Sequence, residues 1–190
     1  MPHIILASGS PRRQELLRRM GITDFIVTVP DVDESYPGDL TPPEIVQYIS
    51  RKKSLAVSSS PDDIVITADT MVFLDEQKLG KPRDEAHALQ MLTALQGRKH
   101  TVCTGVTVRQ GDTILTRSQS TDVYFRPASQ AELLAYIRSG EPMDKAGAYG
   151  VQGQGALLVE RIDGDFFIVM GLPVMLLSQM LRAYGVDLLK

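Results

Sequence analysis

Two adjacent arginines, Arg12 and Arg13, follow a Ser-Pro pair in the opening segment SGSPRRQELL. Ser10 is placed to cap a helix, and Pro11 suits the first helical position because its missing N–H has no intrahelical partner to lose. Both cations then stand in a first turn already made positive by exposed N–H groups and the macrodipole. Each costs roughly 0.3–1 kcal/mol there unless an anion binds in front of it. Carboxylates add a second kind of chemistry. Asp69 follows the apolar run IVIT and precedes MVFL, and at a strand end it reads either as a turn or capping residue or as a general base or metal ligand. Glu34 shares the acidic stretch PDVDESYPGD with Asp31 and Asp33. It belongs either to a solvated loop or to a site for Mg²⁺ or Mn²⁺, which favour hard oxygen ligands. Lys53 and Lys81, the latter between Gly80 and Pro82, are either solvated surface cations or phosphate ligands. Taken together, a basic helix start, further lysines and a few carboxylates suit a polyphosphate bridged by a divalent cation. The glycine-rich stretch around Gln152 would let backbone approach a flat base.

Several chemistries are excluded. No glycine-rich loop ends in Lys-Ser/Thr, so the nucleotide cradle of P-loop proteins is missing. Gly150–Gly155 lacks the third glycine of a dinucleotide fingerprint, Leu158 standing in its place, and an apolar strand pattern follows it. His3, His87 and His100 have no metal-ligand spacing, and no Gly-x-Ser-x-Gly elbow occurs.

The 190 residues, 43% of them hydrophobic, suffice for a full core in one α/β domain. A net charge of −3 gives no bulk attraction to nucleic acid or anionic lipid, so an anion site must be a local concentration of cations. Arg18 and Arg19 are more simply C-terminal helix charges. The single cysteine, Cys103, excludes an internal disulfide; in its strand-like run it reads as a buried inert thiol, consistent with a reducing compartment. No apolar run approaches the ~20 residues of a membrane span, and no secretory leader is evident, so a cytoplasmic protein without a membrane partner is expected.

The elements that must position these residues are legible in outline. Ile4–Leu6 reads as a short buried strand before a helix from Pro11 to Met20, with Leu16, Leu17 and Met20 inward and Gly21 ending it. Phe25–Val29 predicts a strand. Thr41 and Glu44 form a capping-box pattern for a helix continuing to about Val57, with Ile45, Ile49 and Leu55 among its apolar positions. Ile64–Thr67 predicts a buried strand ending at Ala-Asp-Thr, followed by a turn at 75–77 and an extended segment over 78–84. A helix is expected over 85–96, a hairpin over 101–108 and 113–125, and a helix after the Ser129/Glu132 capping box, closed by Gly140. LLVERI and FFIVMG around Asp-Gly-Asp predict a second hairpin, before a closing helix at LPVMLLSQMLRAYG. Neither repeat nor linker is visible.

The blocks LASGSPRRQELL, ADT, GKPRD, DKAGAYGVQGQG and GLPV, in this order along almost the whole chain, resemble the Maf family of nucleoside triphosphate pyrophosphatases. The resemblance implies one domain over residues 1–190, an elongated mixed β-sheet with flanking helices and two lobes around a central cleft, similar to the inosine-triphosphate pyrophosphatases. It implies a cytoplasmic homodimer that uses a divalent metal and hydrolyses nucleoside triphosphates. Position by position, it makes Asp69 the catalytic proton acceptor and a metal residue with Glu34. It places Ser8, Arg12, Arg13, Lys53 and Lys81 around the phosphates and metal. Arg12, Thr70 and Gln152 fall on the positions that differ between subgroups, in a combination resembling the subgroup acting on dTTP and UTP. A glutamine amide offers one acceptor and two donors, matching the N3–H and carbonyls of thymine and uracil, so Gln152 is inferred to read the base. Two other readings use similar residues: a phosphatase removing the terminal phosphate, and a non-catalytic nucleotide-binding regulator of septum formation.

Overall fold

The computed structural model describes residues 3–189. In chain order the elements are β1 (Ile4–Ala7), α1 (Pro11–Arg19), β2 (Ile26–Thr28), α2 (Pro42–Leu55), β3 (Ile64–Leu74), β4 (Gln77–Leu79), α3 (Glu85–Leu95), β5 (Lys99–Gln110), β6 (Thr113–Phe125), α4 (Gln130–Arg138), β7 (Val159–Asp163), α5 (Phe166–Met170) and α6 (Val174–Arg182). Short 3₁₀ turns occupy 141–144, 146–148 and 154–158. The mixed seven-stranded sheet has the order β2-β1-β3-β5-β6-β7, with β4 paired to β3, and helices flank it as expected for the α/β class.

The chain forms two compact units: residues 1–69, 104–119 and 171–190 in the first, and 70–103 with 120–170 in the second. In the first unit β1 pairs parallel with both β2 and β3, Ile5 lying opposite Ile26 on one side and Val65 on the other. Parallel neighbours need crossovers, and α1 and α2 supply them. Leu16 and Leu17 of α1 and Ile45, Val46 and Ile49 of α2 are fully buried. Burying such side chains supplies about 1.5–3 kcal/mol each against the cost of ordering the chain. Met20, expected inward, is only half-buried, and Leu55 is exposed while its neighbour Ser54 is buried, so Leu55 lies off the packed face of α2.

A close approach fixes α2. A Cβ at Gly105 would run into the Val46 carbonyl, so the helix backbone lies directly on β5. Ser50 Oγ shares a 2.9 Å hydrogen bond with Thr107 Oγ1, and Thr67 Oγ1 donates to the Ser50 carbonyl at 2.6 Å. Val46, Ser50 and Lys53 are spaced at four and three residues, so they share one helix face. The contacts of the first two set the direction of the third.

The second unit has its own apolar cluster, with Leu92, Leu95, Phe125, Leu133 and Ile137 at its centre. Val72 of β3 pairs antiparallel with Leu79 of β4, and Val123 of β6 with Ile162 of β7.

Three expectations need correction. The strand beginning at Ile64 does not end at Asp69 but runs to Leu74, which puts Asp69 mid-strand. Its charge is tolerated there because a lysine pairs with it. The turn after Leu74 is tighter than expected, with Asp75 in the left-handed region at φ 52°, and it returns as the short strand β4. The segment FFIVM is helix α5, not the second arm of a hairpin. Asp165 decides this: its Oδ1 accepts from the Phe167 N–H at 2.8 Å and its carbonyl from the Ile168 N–H at 3.2 Å. Its carbonyl also accepts from Thr121 Oγ1 at 2.9 Å. β7 takes β6 as its partner instead.

Candidate active site

The site is built where β1 turns into α1. Ala7 ends the strand, Ser8 is buried just beyond it, and Ser10 occupies the N-cap position with Pro11 next. The Ser10 side chain makes no capping bond; its own N–H donates to Ser8 Oγ at 3.3 Å. Ser8 Oγ also accepts from Arg13 Nη1 at 3.2 Å, while Arg13 Nε donates to the Gly171 carbonyl at 2.7 Å. A planar guanidinium held at two edges has one orientation. Its enclosure in protein draws its pKa below the ordinary value. Asp69 opposes that shift, the neighbouring Arg12 adds to it and Glu34 opposes it, so four charges share one field. The first turn of α1 holds no acidic residue.

Lys53 closes the other side. Its Nζ lies 2.8 Å from Asp69 Oδ1 and 2.7 Å from Glu34 Oε1. The lysine side chain is 15% exposed and that of Asp69 8%, whereas Glu34 stands largely in solvent. The adjacent Lys52 goes elsewhere, toward Ser35 and Asp33. Asp69 Oδ2 is buried and has no hydrogen-bond partner. A buried carboxylate oxygen left so costs about 1–3 kcal/mol or more, which a ligand would recover. Arg12, Arg13 and Lys53 set three cations against two carboxylates, a positive centre in a chain of net charge −3.

The donor set suits a hard divalent cation. Glu34 and Asp69 already converge on one ammonium, and Asp69 has an uncommitted oxygen. Among the described residues no group of three or more His, Cys, Asp or Glu side chains converges as a metal cage. A cation held by two carboxylates completes its shell with water and phosphate oxygens, which is how Mg²⁺ is commonly bound.

Of the residues singled out in the sequence, Ser8, Arg12, Arg13, Glu34, Lys53 and Asp69 therefore fall together in the first unit. Thr70, Lys81 and Gln152 belong to the second. Thr70 is half-buried in β3, Lys81 is exposed beyond β4, and Gln152 is exposed on the glycine-rich loop. That loop has a defined form. Glu141 accepts from the Tyr136 hydroxyl at 2.9 Å and from the backbone N–H groups of Gln154 at 2.8 Å and Gly155 at 3.1 Å, and the Gly150 N–H donates to the Tyr136 hydroxyl at 3.1 Å.

Sequence reasoning missed the Gly171 carbonyl, the hydroxyl ties of α2 and the Glu141 carboxylate. Gly171 was visible as the first residue of GLPV, and its φ of 103° explains the glycine. The partner of its carbonyl, 158 residues away, was not visible.

Comparisons with known proteins concern the chain as a whole. A family model described as Maf-like protein matches residues 3–184. The chain is 48% identical over 186 residues to a dTTP/UTP pyrophosphatase of Symbiobacterium thermophilum, covering 97% of this chain and 95% of that protein. It is 47% identical over 184 residues to a dTTP/UTP pyrophosphatase of Exiguobacterium sibiricum, covering 97% and 93%. Among solved structures, a HAM1 protein from Coxiella burnetii matches with a TM-score of 0.51 at 12% identity, over 96% of this chain and all of that one. At that identity the likeness is one of fold.

Proposed function

The chain belongs to the Maf family, and from that premise we propose that it hydrolyses dTTP and UTP to the nucleoside monophosphate and pyrophosphate. Relatives at 48% and 47% identity are named dTTP/UTP pyrophosphatases, which supports this reading. The observation that carries the reading to chemistry is the buried, unpartnered Asp69 Oδ2 beside Lys53 and the arginine-bearing start of α1.

The residues divide the work by charge. Arg12, Arg13 and the N–H groups of the first turn bind phosphate oxygens, the fork of Arg13 being held by Ser8 and Gly171. Asp69 accepts the proton of the attacking water at Oδ2 while Lys53 holds Oδ1, so the base is oriented before substrate arrives. The water oxygen bonds to the α-phosphorus as the bond from that phosphorus to the α–β bridging oxygen breaks, and pyrophosphate leaves. Arg12, Arg13, Lys53 and Lys81 stabilise the charge on the departing pyrophosphate. Glu34 and Asp69 would hold a Mg²⁺ or Mn²⁺ ion, which when bound would supply charge neutralisation for the triphosphate and ease the deprotonation of water. Ser8 orders Arg13, and Thr70 and Gln152 select the base. A homodimer and a cytoplasmic location are the remaining parts of the proposal, supported by the family resemblance; sedimentation tests the first. Among the described residues no helix is long and apolar enough to cross a membrane.

A substrate screen with dTTP, UTP and 7-methyl-GTP, with Mg²⁺ or Mn²⁺ and with products identified, tests the proposal. Monophosphate and pyrophosphate from dTTP and UTP are expected. Orthophosphate with a diphosphate would identify a phosphatase instead, and binding without turnover a nucleotide-responsive regulator.

A further inference from the structure

The loop that carries Gln152 is unusually rich in glycine, and such a segment is costly to order. Yet it is pinned on both sides of Gln152 by one pair of side chains. The Tyr136 hydroxyl receives the Gly150 N–H, and Glu141 receives the Gln154 and Gly155 N–H groups. Those two donors open the 3₁₀ turn at 154–158, so Glu141 satisfies a helix start from thirteen residues away. Tyr136 is buried in the apolar cluster and donates to Glu141 at 2.9 Å, which ties the loop to α4. A Cβ at Gly153 would strike Glu141 Oε2, and one at Gly155 would strike the Gly150 carbonyl. The glycines are thus the condition for the carboxylate to reach the backbone. Burial pushes the Glu141 carboxyl upward, but the Gly155 N–H, the Tyr136 hydroxyl, the Gln154 N–H and Lys145 together bring it below its usual range.

We infer that Glu141 and Tyr136 are positioning residues for specificity: they fix the loop between Gly150 and Gly155 and thereby orient Gln152 toward the base. This rests on the reading of Gln152 as the group that selects thymine and uracil. Pre-organisation lowers the entropy lost when a loop side chain meets its ligand. Without the clamp, the Gln152 amide loses its direction while the phosphate-binding residues and Asp69 keep theirs. The consequence is selective, affecting base discrimination and KM but not the chemical step.

The experiment compares dTTP with dCTP, whose base replaces the N3–H donor and O4 acceptor with an acceptor and an amino donor. Glu141→Gln keeps the shape but turns an NH₂ toward backbone donors. KM for dTTP is expected to rise about tenfold, the size of one charge-assisted hydrogen bond, with kcat within about twofold and KM for dCTP little changed. In a Gln152→Ala background the same change is expected to add less than about twofold, because the orienting effect has nothing left to orient. An equal rise in KM for both nucleotides, a fall confined to kcat, or full additivity would overturn the inference. Should Glu141→Gln fail to fold, Tyr136→Phe keeps the packed ring and deletes only the hydroxyl. It must then raise KM for dTTP selectively, and an unchanged KM overturns the inference equally. A wild-type enzyme with no preference for dTTP over dCTP would defeat the reading of Gln152 itself. A preference that survives Glu141→Gln would defeat the clamp alone.

Discussion

Lys53 and Asp69 form an ion pair that is mostly enclosed by protein, Nζ to Oδ1 at 2.8 Å, and the second oxygen of that carboxylate has no partner. The pair leaves the aspartate oriented by one oxygen and chemically available through the other. A purely structural ion pair would be expected to satisfy both.

Removing the cation should therefore cost stability as well as activity. Lys53→Met leaves Asp69 buried without its counter-charge, and a loss of about 2 kcal/mol in unfolding free energy is expected. Urea denaturation of the variant and wild type reads this as a lower midpoint with an unchanged slope. A midpoint equal to wild type would show that the pair holds nothing in place.

Asp69→Asn keeps the shape and removes the carboxylate proposed as proton acceptor. Turnover of dTTP should fall by about 10²–10⁴, the usual worth of a general base, while the fold is retained. Steady-state release of pyrophosphate with near-wild-type thermal unfolding checks both halves. Undiminished turnover would dismiss Asp69 as the base.

Arg13 acts through geometry. Lysine keeps the charge but cannot reach the Gly171 carbonyl and the Ser8 hydroxyl together with a phosphate. Arg13→Lys is expected to raise KM for dTTP about tenfold or more, corresponding to one or two lost oriented hydrogen bonds. A wild-type KM in this variant would show that only charge matters at this position.

His100 sets an acid limit on the fold. It is buried against Phe125 and Tyr149, and its Nδ1 has no partner while Nε2 shares a 2.7 Å hydrogen bond with the Tyr149 hydroxyl. Burial pulls its pKa down to about 4, with Asp122 opposing. Between that value and the ordinary 6.5, the unfolded chain holds a proton that the folded chain does not. The sign is then fixed: stability from this group is complete above pH 6.5 and is lost as pH falls through about 4. Unfolding free energy measured across that window should fall by up to about 1.4 kcal/mol per pH unit on account of His100. His100→Gln should flatten the slope by about one proton, and an unflattened slope would assign the acid sensitivity elsewhere.

Much of this arrangement is legible in the sequence. Local signals carried the helix starts: Pro11 after Ser10, Glu44 after Thr41 and Glu132 after Ser129 each stand where expected. The electrostatic cost of Arg12 and Arg13 follows from their position in a first turn alone. Long-range partners escaped. Asp69 looked like a strand end because a mid-strand aspartate needs a cation, and that cation, Lys53, lies on a different element. Phe166–Met170 has strand-like composition, yet Asp165 and Thr121 turn it into a helix through contacts the local pattern does not contain. The glycines at 150, 153 and 155 announced a loop but not the carboxylate that organises it.

Attack of water on the α-phosphorus, the step proposed for Asp69, leaves the new bond in the monophosphate. Hydrolysis of dTTP in ¹⁸O-labelled water, with mass analysis of both products, follows the new bond directly. The label is expected in dTMP, with unlabelled pyrophosphate. Label in pyrophosphate, or in orthophosphate, would contradict attack at the α-phosphorus.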